Sequence, residues 1–131
     1  MGIFNFFSSK EKRAKLSHLK SLLTLSLADG KIEKSELAAI AAVCSREGLT
    51  DSDLQRCIEN PGSIDFVPPT DDLTRFQYLK DMVLLMMCDG NIDKNEFVLC
   101  KLTAETLGFK HKVIDAMVLE IINDFKNKMT K

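Results

Sequence analysis

The sequence predicts an all-α protein, a single-domain helical bundle built from two duplicated three-helix units. Three observations carry this. Apolar residues recur at three- and four-residue spacing, as in Leu16, Leu19, Leu22 and Leu23, which is one face of an α-helix. No segment alternates apolar and polar residues over the length of a strand. The stretch Leu-Ala-Asp-Gly-Lys-Ile-Glu-Lys-Ser-Glu (Leu27 to Glu36) returns 60 residues later as Met-Cys-Asp-Gly-Asn-Ile-Asp-Lys-Asn-Glu (Met87 to Glu96). The 131 residues, 45% of them apolar, suffice for one core without disulfide staples. The expected organisation is one domain over 1–131: an apolar arm (1–8), a first three-helix repeat (9–62), a connector (63–72) and a second repeat (73–131).

Each element follows from local chemistry. Ser8 with Glu11 reads as a capping box that starts the first helix. Its stripe is Leu16, Leu19, Leu22, Leu23 and Leu27, and Asp29-Gly30 ends it. Leu37, Ile40, Ala41 and Cys44 make the second stripe, closed by Gly48 as a left-handed cap. Thr50 with Asp53 caps a short third helix carrying Leu54, Cys57 and Ile58, which stops at Asn60-Pro61-Gly62. Pro68-Pro69 keeps the connector out of helix. Thr70 is expected to cap a fourth helix with the stripe Leu73, Phe76, Leu79, Met82, Val83 and Met86. Phe97, Cys100 and Ala104 lead to Gly108, and Ile114, Met117, Val118, Ile121, Ile122 and Phe125 mark the last helix before Lys126, Lys128 and Lys131. A shift of 60 residues pairs Leu19 with Leu79, Leu25 with Leu85, Asp29 with Asp89, Gly30 with Gly90 and Gly48 with Gly108 without a gap, which an internal duplication explains.

Composition excludes several function classes. The formal net charge is −1 and the pI about 6.1, so no whole-molecule field attracts nucleic acid. Cys44, Cys57, Cys88 and Cys100 form no CxxC pair and read as reduced, core-facing thiols of a cytoplasmic protein. The longest strongly apolar run, Met82 to Cys88, is far shorter than the roughly 20 residues that span a bilayer. There is no phosphate-cradling glycine loop, HExxH or GxSxG, and His18 and His111 lack a nucleophile at a recognisable spacing, so the chain reads as no enzyme. His18, aligned with Tyr78, reads as a half-buried polar tip. Ile3, Phe4, Phe6 and Phe7 precede Lys10, Lys12, Arg13 and Lys15. This arm is expected to cover its own core or a second copy in a homodimer, with peripheral contact to the inner face of a membrane as the alternative.

The doubled turn carries the most specific chemistry. Acid-Gly-x-Ile-acid-x-x-Glu matches the second half of an EF-hand loop, but the first half would place Leu25 and Leu27, or Leu85 and Met87, where oxygen ligands are required. A hard cation needing about six to eight oxygens rejects that arrangement. Gly30 and Gly90 fit as left-handed residues past helix ends, and Asp93 with Glu96 as a capping box, with Glu33 the poorer cap. Asp29 and Asp89 sit near helix C-termini, where the dipole disfavours an acid by about 0.3–1 kcal/mol. Either these carboxylates accept amides of the next helix or they help hold a cation.

These paired turns, Ala-Asp-Gly-Lys-Ile-Glu-x-x-Glu-Leu and Cys-Asp-Gly-Asn-Ile-Asp-x-x-Glu-Phe within duplicated helices, resemble the TerB family. That is the tellurite-resistance-associated helical domain, also similar to the segment preceding the J domain of DjlA-type membrane co-chaperones. The resemblance spans roughly Leu16 to Phe125. It implies an all-α fold, association with other proteins of stress-response or tellurite-resistance assemblies, and a divalent-cation site. The cation would be Ca, Mg or Mn rather than Zn, at Asp29, Glu33 and Glu36 with Asp89, Asp93 and Glu96. Lys31, Lys34 and Lys94 crowd these acids, which leaves Asp89, Asp93 and Glu96 the better set. The alternative is a metal-free protein–protein interaction domain whose acidic turns are helix caps.

Overall fold

The computed structural model describes residues 3–27, 30–87 and 94–129, apart from the side chains of 3–9, 96, 111–113 and 129. Among these are six α-helices and no strand. They are α1 (Ile3–Ser26), α2 (Lys34–Glu47), α3 (Asp51–Glu59), α4 (Asp72–Met87), α5 (Lys94–Thr106) and α6 (His111–Met129), with a 3₁₀ turn at Pro61–Ser63. The all-α fold is the one the periodicity predicts.

Helix ends are set by local hydrogen bonding. Gly48 adopts φ 70° and Gly108 φ 104°. Around them the Leu49 N–H donates to Cys44 O at 2.8 Å and the Phe109 N–H to Ala104 O at 3.2 Å, the return bonds of a left-handed cap that only glycine makes without strain. Thr50 and Asp53 form the expected box: the Asp53 N–H donates to Thr50 Oγ1 at 3.2 Å and the Thr50 N–H to Asp53 Oδ2 at 2.9 Å. The starts of α2 and α5, and of α3 and α6, each stand 60 residues apart.

Two boundaries differ from expectation. Helix α1 begins at Ile3 rather than after Ser8; Ile-Phe-Asn-Phe-Phe contains no proline or glycine, so nothing stops the helix from extending into the apolar segment. The cap of α4 is Asp71, not Thr70: the Thr74 N–H and hydroxyl donate to Asp71 Oδ2 at 2.9 and 2.8 Å, and a carboxylate is the stronger acceptor.

Helices α1 and α4 form the centre. α1 packs against α2, α3, α4 and α5, while α4 packs against α1, α2, α5 and α6. Leu19, Leu22, Leu79, Met82, Val83 and Met86 are fully enclosed, and Ile40, Cys100, Ile114 and Val118 close over them. Because α1 and α4 are covered from several directions, burial spreads beyond a single stripe to Leu25, Tyr78, Asp81, Leu85 and Met87. Expected stripe residues near helix ends fall outside: Leu27 is half exposed and Leu73 is 85% exposed. Ile58 on α3 and Phe76 on α4 are also exposed, and so are Leu37 and Ala41, since α2 turns the row Glu36, Ile40 and Cys44 inward.

The connector is stapled to α1. The Val67 N–H donates to Ser17 Oγ at 2.9 Å, Lys20 Nζ donates to Ile64 O at 2.8 Å, and Ile64 is buried. An ion pair between Lys12 and Asp53 at 2.7 Å ties α1 to α3, and one between Lys101 and Asp115 at 3.0 Å ties α5 to α6.

Replacing Leu79 by Ala is expected to lower the unfolding free energy by about 2–5 kcal/mol through lost burial and a residual cavity. Leu73→Ala should change it by less than about 0.5 kcal/mol. Urea denaturation followed by helical circular dichroism measures both.

Candidate functional site

The acids of the doubled turn divide by what the structure describes. Asp29, Asp89 and Asp93, together with Cys88, lie outside the described residues. Glu96 is the third residue of α5, which starts at Lys94, and its side chain lies outside the described set, as do those of Ile3, Phe4, Phe6 and Phe7 on α1. In the first turn Gly30 takes φ 99° and its N–H donates to Leu27 O at 2.9 Å, which closes the end of α1 as the glycine predicts. Glu33 occupies the N-cap of α2 in extended conformation, and its carboxylate lies 3.4 Å from Lys31 Nζ. Glu36 is only 4% exposed, and its Oε1 accepts the Glu33 backbone N–H at 3.0 Å. A free N-terminal amide of α2 is thereby satisfied by a carboxylate at the favourable end of the helix dipole. Glutamate at both positions thus performs the capping that the sequence assigned more readily to Asp93 and Glu96. Among the described residues no group of three or more His, Cys, Asp or Glu is placed to hold a metal ion.

The described structure instead gathers its buried charge around Asp81. This carboxylate sits on α4 with both oxygens fully engaged. Oδ1 accepts from Arg46 Nη1 at 2.8 Å and from Gln77 Nε2 at 3.1 Å; Oδ2 accepts from Arg46 Nη2 at 2.6 Å and lies 2.8 Å from His18 Nε2. An ionised carboxylate only accepts, so His18 Nε2 carries the proton in this contact. The imidazole is held on its other side by Tyr78, whose ring stacks on it with centroids 3.7 Å apart and planes within 2°. Arg46 also donates to Glu47 at 3.0 Å. Three helices, α1, α2 and α4, are thus joined by a bidentate guanidinium and an imidazole on one acid.

The electrostatics follow from burial and partners. Burial alone would push the Asp81 carboxyl up, but the hydrogen bonds from Arg46 and His18 outweigh it and hold the group at about 2. Burial pushes the Tyr78 phenol well above its ordinary value, with the charge of Glu47 adding to it. The thiols Cys44, Cys57 and Cys100 are free and buried. Burial lifts Cys57 to about 11 and Cys100 to about 12, so neither supplies a thiolate nucleophile. These three fit the expected core-facing thiols.

His18 is more deeply enclosed than the half-buried tip the alignment suggested, and Asp81 and Arg46 were not singled out at all. A signal was present. Asp81 interrupts a helix buried almost all round, between Leu79 and Met82, and an acid there requires cationic partners. Which cations would come was not readable locally, since His18 and Arg46 lie 63 and 35 residues away.

Asp81 also sets an expected pH dependence. Its folded value of about 2 lies below the ordinary 3.8, so the stabilisation is fully present above about pH 4 and is lost as pH falls through about 2. The gap corresponds to about 2 kcal/mol. Urea titrations at about pH 5 and pH 2 should show the wild-type protein losing roughly 2 kcal/mol more than Asp81→Asn over that interval. Near neutral pH the same variant should already be weaker by about 2–3 kcal/mol, because an amide cannot accept both Arg46 donors and His18 together.

Comparison of the chain with protein-family models, with curated proteins and with solved structures finds no match.

Proposed function

We propose that this chain is a non-enzymatic, TerB-like helical module that works through contacts with other proteins of a stress-response assembly, its acidic turns serving as helix caps. The carrying observation is the commitment of the buried Glu36 carboxylate to the Glu33 amide. A residue that the cation reading needs as a ligand is already spent on starting α2, and Glu33 beside it pairs with Lys31. A cation at the first turn would have to break the cap, costing about 1 kcal/mol, and displace an ammonium before gaining any coordination. The non-enzymatic reading is supported by the inert character of the three described thiols and by the full engagement of the Asp81 carboxylate, which leaves it no free oxygen for proton transfer.

Partner contact has candidate anchors. Val98 and Leu102 stand one helical turn apart on α5, each about half exposed, and Leu37 is similarly exposed on α2. Apolar side chains at such spacing suit packing against a partner helix. Association with tellurite-resistance systems rests on the doubled Asp-Gly turn and its resemblance to TerB.

Calorimetric titration with Ca, Mg, Mn and Zn should give no saturable heat, and none of the four should raise the melting temperature at millimolar concentration. Saturable binding that disappears in the double variant Asp89→Asn, Asp93→Asn would overturn the capping reading in favour of a cation centre on the second turn.

A further inference from the structure

The repeated helix pattern forms two matching grooves, and among the described residues the chain covers one and leaves the other open. Helix α5 packs against α1 as α2 packs against α4. Ser21, Thr24, Leu99 and Thr103 line the α1/α5 groove, and Asp81, Leu84, Ala39 and Val43 line the α2/α4 groove. Each residue of one set stands 60 positions from its counterpart in the other.

The occupant of the α1/α5 groove is part of the chain. Phe66 of the connector lines it, and two hydrogen bonds hold the backbone on either side of that ring. Lys20 Nζ donates to Ile64 O at 2.8 Å, and the Val67 N–H donates to Ser17 Oγ at 2.9 Å. The α2/α4 groove is lined by residues of α1, α2 and α4 alone. Its volume is about 330 Å³, against about 120 Å³ for the covered one. Ala39, standing where the covered groove has Leu99, adds to the room.

The groups that hold the connector have counterparts beside the open groove. Ser17, Lys20, Ser21 and Thr24 share one face of α1, and Gln77, Lys80, Asp81 and Leu84 repeat that face on α4. Lys80 is half-buried and makes no ion pair or hydrogen bond among the described residues, so its donors are available as those of Lys20 are to Ile64. Gln77 uses its amide nitrogen on Asp81, and the amide oxygen is an acceptor at the place of Ser17 Oγ. On the groove wall Arg46 and Asp81 pair with each other, which leaves Lys80 as the excess charge on this face. An acid such as Asp65, beside Phe66 in the connector, complements it.

We propose that the α2/α4 groove binds an extended, connector-like segment of a partner protein, of the pattern apolar–acid–aromatic–apolar–proline. Its aromatic ring lies between Ala39, Val43 and Leu84. Lys80 donates to the carbonyl two residues before that ring, and Gln77 Oε1 accepts the N–H one residue after it. Such binding combines backbone hydrogen bonds for affinity with a side-chain pocket for specificity. It deepens the reading of the chain as a protein-contact module and rests on it.

The test uses the end-capped peptide Ser-Ile-Asp-Phe-Val-Pro-Pro-Thr, the sequence of residues 63–70, titrated to millimolar concentration into the full chain and followed by amide chemical shifts. Saturable shifts are expected at Ala39, Val43 and Leu84. The peptide carrying Phe66→Ala should bind at least about 10-fold more weakly, and Lys80→Ala in the protein should weaken the parent peptide about 5-fold. The proposal is overturned by an absent saturable response, by equal affinity of the two peptides, or by affinity unchanged in Lys80→Ala. Shifts confined to Ser17, Leu99 and Thr103 also overturn it, since the peptide then only displaces the chain's own connector. Saturable cation binding would strike the protein-contact reading, whereas a failed peptide titration strikes this groove alone.

Discussion

A carboxylate enclosed where α1, α2 and α4 meet constrains the rest of the molecule. Removing a charge from water is costly unless its lone pairs are met by donors, and Asp81 meets this condition through Arg46, His18 and Gln77. Each donor comes with a geometric demand. Arg46 must approach from the last turn of α2, His18 from the middle of α1, and Gln77 from one turn earlier on α4 itself. The apolar contacts of Leu19, Leu22, Leu79 and Met82 would tolerate sliding of these helices more readily than the bidentate pair, because burial has no direction and paired N–H···O bonds do.

The network is one-sided although the chain is patterned twice. At an offset of 60, His18 corresponds to Tyr78, Asp81 to Ser21 and Arg46 to Thr106. Equivalent positions on α1 and α4 therefore meet as a stacked His18–Tyr78 pair, while the acid and its guanidinium exist in a single copy. Two apolar helices alike in pattern can pack in several registers. The single acid with its dedicated cations distinguishes one of them, a use of buried polar groups known from helical assemblies.

The same residues border two surface features. Arg46 and Asp81 line the groove of about 330 Å³ between α2 and α4, together with Ala39, Val43, Leu84 and Leu85. Glu47 and Tyr78 line a larger cleft on the connector side. The polar centre is thus the wall between them, held by the last turn of α2 and the interiors of α1 and α4. A ligand or partner helix on either side would meet groups already fixed in place, which lowers the ordering cost of recognition. The first acidic turn stands apart from these features, at the junction where the Gly30 conformation and the Glu36 carboxylate cap join α1 to α2.

The sequence by itself determined what depends on neighbours within a few residues. Helix order, the Gly48 and Gly108 caps, the Thr50–Asp53 box and the proline connector all follow from 3.6-residue periodicity and from side chains reaching amides three or four positions away. It also marked Glu33 and Glu36 as candidates, but their short spacing served a cap as well as it served a cation, so pattern alone left both readings open. Only the tertiary structure decided which face of α2 turns inward, and so why Glu36 is buried while Leu37 is exposed. It alone brought His18 and Arg46 to Asp81, because hydrogen bonds across separations of 63 and 35 residues exist only after α1, α2 and α4 have packed.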